Sequence, residues 1–364
     1  MLSKKGLTLL ADLISQKTID GNKTAQKDAL QIIANYLGSD FTCQTFSSNG
    51  YDSAIYLPKN GGQIDVLLSA HIDVVPAVDP LFTVKKREGR FSGRGVFDMK
   101  GPLVAMIEAL HVFSKKQTNT HIGLLVTSDE EKGGVHGTRY FLENFSYKPK
   151  VVIVPDGGNN FDIAIEEKGV LNIELIAEGV NAHTGRPWEG INATHQLIET
   201  INQIIQLYPV GKKRDWQTTA SVVAFESEYK ANNIVPAYAK AKINFRYIKK
   251  DSPESILKAV RKISKSLNVT GHVSGTAIAV SPTAKPIRVF RDCVKKETGK
   301  LPKCIPYPST CDARYFSDRS ILPIITRPPG GGAHQDDEWI SVDGINQFIR
   351  ILVDFFEQSS RMKY

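Results

Sequence analysis

Three short apolar runs in the first half of the chain each end on a polar side chain, and this repetition restricts the fold more than any other feature. Residues 64–68 lead into Ser69-Ala70-His71-Ile72-Asp73. Residues 121–127 lead into Ser128-Asp129-Glu130-Glu131, and residues 151–154 into Pro155-Asp156-Gly157-Gly158. Apolar runs of this length suit strands buried on both faces. Helical patterns lie between them, over 102–114, where Pro102 suits a first turn, and over 137–144. Strand, helix, strand predicts an α/β fold with a mostly parallel sheet flanked by helices. The carboxyl ends of its strands form one chemically loaded edge.

The rhythm changes near Gly169. Residues 170–177 alternate apolar and polar, as in a half-exposed strand. A helix is expected over 193–207, strands over 219–225 and 239–247, a helix over 253–266 and a strand over 269–274. This order suggests a smaller α+β module inserted into the first domain. The expected division is 1–168 and 281–364 for the main domain, and 169–280 for the insert. Two helices are expected in residues 1–40, the second stopping at Gly38. After the insert come a helix over 289–298, a strand over 322–326, the Gly330-Gly331-Gly332-Ala333-His334 loop and a helix over 343–356.

Five side chains at strand ends or in glycine-rich loops have metal-ligand character: His71, Asp98, Glu131, Asp156 and His334. A mixed imidazole and carboxylate set suits zinc, with cobalt or manganese as alternatives. Two ions about 3.5–4 Å apart need one shared carboxylate, and two histidines with three carboxylates meet that need. Asp73 is placed to orient His71 through its second ring nitrogen. The neighbours Glu130 and Glu131 suggest divided labour, one binding metal and one moving a proton.

Composition narrows the alternatives. The net charge is +8, but the lysines are scattered and no basic stripe is interleaved with aromatics, so no nucleic-acid partner is expected. No apolar stretch reaches the roughly 20 residues that span a membrane. Leu7, Leu10, Leu13 and Ile14 fit an amphipathic helix better than a signal segment, and the expected location is the cytoplasm. The four cysteines form no C-x-x-C pair and are expected to be reduced.

The segments Ser69-Ala70-His71-Ile72-Asp73, Gly95-Val96-Phe97-Asp98-Met99-Lys100-Gly101, Ser128-Asp129-Glu130-Glu131 and Asn181-Ala182-His183, in this order, resemble the di-zinc metallopeptidase and aminoacylase family. Succinyl-diaminopimelate desuccinylase, acetylornithine deacetylase and carnosinase-type dipeptidases belong to it. The resemblance implies a zinc-exopeptidase-like catalytic domain interrupted by a lid and dimerisation domain. It implies that His71 and Asp156 hold one ion, Glu131 and His334 the other, and that Asp98 bridges, with a cis peptide after Asp98. Glu130 matches the general base. His183 matches a lid histidine that reaches a second subunit's active site and steadies an oxyanion, so a homodimer is implied. Asn232, Asn233, Arg246, Ser309 and Thr310 match positions that contact substrate.

The implied activity is hydrolysis of an amide in a small N-acyl amino acid. A dipeptidase or aminopeptidase acting on short peptides is the alternative, and a non-catalytic binding protein of the same fold a more distant one. At the position of Asp156, deacylases of the family commonly carry Glu and dipeptidases Asp, so this residue keeps the first two open.

Overall fold

The computed structural model describes every residue except 60, 117, 119, 212–214 and 360–364. The chain forms two compact units, Met1–Ile165 with Val280–Tyr364, and Glu166–Ala279. The first unit begins with α1 (Lys4–Ser15), α2 (Lys23–Leu37), β1 (Phe41–Ser48), β2 (Tyr51–Pro58), β3 (Val66–His71), β4 (Lys85–Arg87) and β5 (Arg90–Ser92). It continues with α3 (Lys100–Ser114), β6 (Ile122–Thr127), α4 (Tyr140–Asn144), β7 (Val151–Val154) and β8 (Ile163–Glu167). The second unit holds β9 (Gly169–Glu178), α5 (Ala193–Leu207), β10 (Thr219–Ser227), β11 (Tyr238–Tyr247), α6 (Pro253–Ile263), β12 (Asn268–Gly275) and β13 (Ile278–Ala279). The first unit resumes with α7 (Lys285–Thr298), β14 (Cys304–Tyr307), α8 (Ala313–Ser317), β15 (Leu322–Ile325), β16 (Gly330–Gly331), β17 (Trp339–Ser341) and α9 (Val342–Ser359).

The main sheet of the first unit runs β1-β2-β6-β3-β7-β15-β8. Its centre is parallel: β3 pairs with β6, His71 opposite Thr127, and with β7, while β7 pairs with β15, Val154 opposite Ile325. The strands outside this centre are antiparallel, β1 with β2, β2 with β6 and β8 with β15. The parallel register has a direct consequence. The carboxyl ends of β3, β6, β7 and β15 emerge side by side, as in open α/β sheets that bind ligands at that edge. β3, β6 and β7 are buried along their whole length, which explains their unbroken apolar runs.

Helix α3 shows why this layer is rigid. Leu103 to Leu110 are all buried, and α3 packs against α1 and α9. Phe113 meets Phe356 edge-on at 5.4 Å between ring centres. The helix begins at Lys100, two residues before the expected start, which leaves Pro102 in the first turn where its missing N–H costs nothing. Helix α7 likewise starts earlier than expected, at Lys285, with Pro286 in its first turn. The helix expected over 137–144 is present, as a π-helical stretch over Val135–Arg139 that runs directly into the short α4.

The second unit is a four-stranded antiparallel sheet, β10-β11-β9-β12, with α5 and α6 packed on it. Leu171, Ile173, Leu175 and Ala177 on β9 alternate with outward residues, and so do Ala239, Ala241, Ile243 and Phe245 on β11. Both sets join Leu197, Ile201 and Ile204 of α5 and Ile256 and Val260 of α6 in one core. Asn192 caps α5 and Ser252 caps α6 through their side-chain oxygens.

Lys100 is fully buried, and its ammonium donates to the carbonyls of Leu13 at 2.8 Å and Gln16 at 2.9 Å, at the carboxyl end of α1. Cations suit that end of a helix, but burial dominates and pushes the amine down to about 7. An unfolded lysine titrates near 10.4. Between these values the unfolded chain holds a proton that the folded chain has released, so stability rises with pH. In chelator-treated protein, wild-type stability relative to a Lys100→Met variant is expected to rise by about 1 kcal/mol per pH unit from pH 7 to 9. Urea unfolding at both pH values checks this; parallel behaviour of the two proteins would contradict it.

Candidate active site

The four adjacent parallel strand ends deliver His71, the Asp129-Glu130-Glu131 turn, Asp156 and Arg327 to one edge. Loops from elsewhere in the same unit add Asp98 and His334. Two groups of potential ligand atoms result: His71, Glu130 and Asp156, and Asp98, Glu131 and His334, each with its atoms within 4.8 Å of one another.

His71 is buried, and its Nδ1–H donates to the main-chain carbonyl of Asp73 at 2.9 Å. That bond fixes the tautomer and leaves the Nε2 lone pair facing outward. The Asp73 carboxylate lies 3.5 Å from Nδ1 and accepts from the Glu131 N–H at 2.9 Å. The orienting contact to His71 therefore comes from the backbone of Asp73, while its side chain sets the position of the Glu131 turn. The Asp98 carboxylate stands between the two imidazoles, Oδ1 3.5 Å from His71 Nε2 and Oδ2 3.5 Å from His334 Nε2. His334 Nε2 is also 3.1 Å from Glu131 Oε1. His334 has a left-handed backbone, φ 65°, in the loop that follows β16.

These residues fit divalent cations. His71 Nε2 and Asp98 Oδ1 are both buried with no hydrogen-bond partner among the described residues. Two lone pairs thus face the same point. Ligands about 2.0–2.2 Å from one tetrahedral ion lie about 3.3–3.5 Å apart, which matches the spacings around Asp98. The protein's own charges tell the same story. Despite burial, His334 and His71 hold the Asp98 carboxyl well below the usual range, and Asp98 and Glu131 push the His334 imidazole up to about 10. The cluster has an excess of negative charge that positive charge stabilises.

The loop carrying Asp98 is held by Glu338. Its Oε2 accepts from Arg94 and from the Gly95 N–H, both at 2.8 Å, and its Oε1 from the N–H groups of Phe97 at 2.9 Å and Asp98 at 3.0 Å. The bond from Asp98 to Met99 is cis, in agreement with the expectation. Glu338 and Arg94 were invisible in the sequence. Glu338 ends the acidic run Asp336-Asp337-Glu338, and nothing local separates the buried member from its exposed neighbours.

The turn carrying Glu130 is gripped from the start of α8 and the loop before it. Arg314 Nη2 and the Tyr315 hydroxyl both donate to the Gly133 carbonyl at 2.6 Å, and Arg314 Nη1 donates to the Cys311 carbonyl at 3.0 Å. Asp312 accepts from the Thr138 hydroxyl at 2.5 Å. Gly134 has φ 65°, and a side chain there would collide with the Asp312 carboxylate. Burial, followed by the Asp156 charge, raises the Glu130 carboxyl well above the ordinary range. Burial and the charge of Asp312 push Asp129 up to about 7.

In the loop before α8 Ser309 is exposed and Thr310 half-buried, whereas Asp312 and Arg314 are buried. Cys311 is buried, and none of the four cysteines is in a disulfide. His183, Asn232, Asn233 and Arg246 belong to the second unit. There the His183 loop is tied to the Asn232-Asn233-Ile234 segment by a bridge between His183 and Ile234 and by the Thr184 N–H donating to the Asn233 carbonyl at 2.9 Å. His183 Nδ1 accepts from the Gly185 N–H at 3.0 Å, so the neutral ring carries its proton on Nε2 and presents a donor. Asn232 accepts from the Tyr229 hydroxyl at 2.9 Å, and Arg246 is an exposed residue of β11.

The model of the family described as Peptidase family M20/M25/M40 matches residues 67–358. The succinyl-diaminopimelate desuccinylase of Pelagibacter ubique is 27% identical over 323 residues, covering 82% of this chain and 83% of that protein. Among solved structures, an M20 family metallo-carboxypeptidase from Sulfolobus solfataricus superposes with a TM-score of 0.79 at 20% identity, covering 99% of this chain and 100% of that one. A tripeptidase from Staphylococcus aureus superposes with a TM-score of 0.78 at 18% identity, covering 100% of both chains. Among the described residues no helix is long and apolar enough to cross a membrane.

Proposed function

The chain belongs to peptidase family M20/M25/M40, a metallohydrolase of linear amides, and from that premise we propose that it removes the acyl group from a small N-acyl amino acid. The observation that carries this reading is the pair of adjacent ligand groups, His71, Glu130 and Asp156 beside Asp98, Glu131 and His334, on one sheet edge. In this reading His71 and Asp156 would hold one divalent ion, Glu131 and His334 would hold a second, and Asp98 would be shared between them. Zinc suits the donors best, with cobalt or manganese as substitutes. When bound, the ions polarise the amide carbonyl and make a water acidic enough to attack near neutral pH.

The protein's own groups do the rest. Glu130 takes the proton of the attacking water and passes it to the leaving amine as the C–N bond breaks. A raised carboxyl affinity for protons matches a group that must both accept and return one. Asp73 keeps His71 in the tautomer that offers Nε2. His183 of a second copy, donating from Nε2, stabilises the oxyanion that forms at the attacked carbonyl, which makes the working form a homodimer built through the 169–280 insert. Arg246 pairs with the substrate carboxylate by its fork of donors, and Asn232, Asn233, Ser309 and Thr310 position the remainder of the substrate. The enzyme works in the cytoplasm on small amino-acid derivatives.

The name of the Pelagibacter relative supports the acyl substrate. Asp156 favours a second reading, cleavage of a short peptide, because its side chain is one methylene shorter than glutamate and leaves more room for a free amino group. Assays of N-succinyl-diaminopimelate, N-acetylornithine and a dipeptide panel, run side by side with added Zn2+, separate the two. The acyl substrate is expected to exceed the dipeptides in kcat/KM by about a hundredfold, the discrimination typical of a pocket that rejects a misfitting group. The reverse order establishes the peptidase, and no turnover of either class would sink both.

A further inference from the structure

We propose that Arg327 is a built-in counter-cation of the acidic site, which balances Asp98 and Asp156 before metal binds and thereby restrains metal uptake. The proposal rests on the two-ion reading above. Arg327 follows β15, so it occupies at that strand the place that His71 occupies at β3. Its side chain is 7% exposed. Three contacts fix the guanidinium: Nε donates to the Gly158 carbonyl at 3.2 Å, Nη2 donates to the Tyr307 hydroxyl at 2.8 Å, and the plane lies 4.1 Å over the Phe97 ring.

The remaining nitrogen, Nη1, makes no hydrogen bond among the described residues. It lies 3.9 Å from Asp98 Oδ1 and 3.8 Å from Asp156 Oδ1. That separation is too long for a hydrogen bond. Asp98 Oδ1 therefore keeps its lone pair for an ion, while the guanidinium charge still acts on it through a poorly screened interior. Burial keeps Arg327 from touching substrate. A permanent charge held this rigidly does two things: it offsets carboxylate repulsion in the unloaded protein, and it repels an incoming cation. Arginine suits the position because its planar fork is fixed by three contacts and never loses its proton.

The test compares wild type with Arg327→Met and Arg327→Lys in the whole chain, stripped of metal and titrated with Mn2+ by calorimetry and by thermal unfolding. Arg327→Met is expected to bind Mn2+ at least about tenfold more tightly, the lower bound for removing one unit charge at this range, reached only with water-like screening. Its stripped form is expected to melt below stripped wild type, and Mn2+ to raise its Tm by more than it raises that of wild type. Arg327→Lys, which keeps the charge, is expected to stay within about threefold of wild type, well inside the effect of one charge. Unchanged or weaker Mn2+ binding by Arg327→Met, with wild type binding normally, overturns the proposal and leaves the metal site intact. Failure of wild type itself to bind Mn2+ overturns the two-ion reading. If stripped Arg327→Met does not fold, refolding with Mn2+ decides the matter: recovery supports the proposal, and failure in both conditions assigns Arg327 to the fold alone.

Discussion

Replacing Glu130 by alanine is expected to lower kcat by about 10²–10⁴-fold, the usual contribution of a positioned general base. The content of bound divalent ion is expected to stay at the wild-type level. The second measurement matters as much as the first, because Glu130 lies within 4.8 Å of His71 and Asp156 and could itself bind a cation. Metal analysis of purified Glu130→Ala separates the roles. Loss of an ion along with activity would make Glu130 a ligand, and unchanged turnover would remove it from the chemistry. The turn that carries it is held from below by Arg314, Tyr315 and Asp312, none of which the substitution touches. A fold-wide effect is therefore not expected, and an unchanged Tm serves as the control.

The second large effect is expected at Asp98. Its two oxygens each stand 3.5 Å from a histidine nitrogen, one histidine from each ligand group. Asp98→Ala is expected to reduce bound metal below one ion per chain and activity by about three orders of magnitude. That loss corresponds to about 4 kcal/mol of barrier, the several kcal/mol that Lewis-acid polarisation contributes. His71→Ala, by contrast, empties one group and leaves Asp98, Glu131 and His334 in place. The expected signature is therefore a stoichiometry difference between the two variants, read by elemental analysis after dialysis. Retention of two ions by Asp98→Ala would refute its bridging position. Glu338 continues to accept from the Gly95, Phe97 and residue-98 N–H groups in the variant, so the loop path is preserved and the loss reports on the carboxylate.

The main sheet was legible because burial on both faces leaves a plain mark, an unbroken apolar run. Alternation on β9 and β11 marked the half-exposed sheet of the second unit equally well. Helix starts were less legible. The expected starts are residues 102 and 289, whereas the backbone is already helical at Lys100 and Lys285, with Pro102 and Pro286 in the first turns. The π-helical stretch at Val135–Arg139 begins two residues before the expected helix, directly after Gly133 and Gly134, both of which have left-handed backbones.

What the sequence alone determined is which side chains sit at the ends of buried strands, and with them the candidate ligands His71, Glu131 and Asp156. Strand length and apolar character are local properties, so position at a strand end is written locally. What only the tertiary structure decided is which residues meet. Glu338 grips a loop 240 residues earlier, and Lys100 ties that loop's helix to the end of α1, 87 residues before it. Arg327 reaches Asp98 and Asp156 only because β15 runs parallel beside β7. Such meetings depend on strand order and register, which arise from the packing of the whole chain and leave no periodic trace in any one segment.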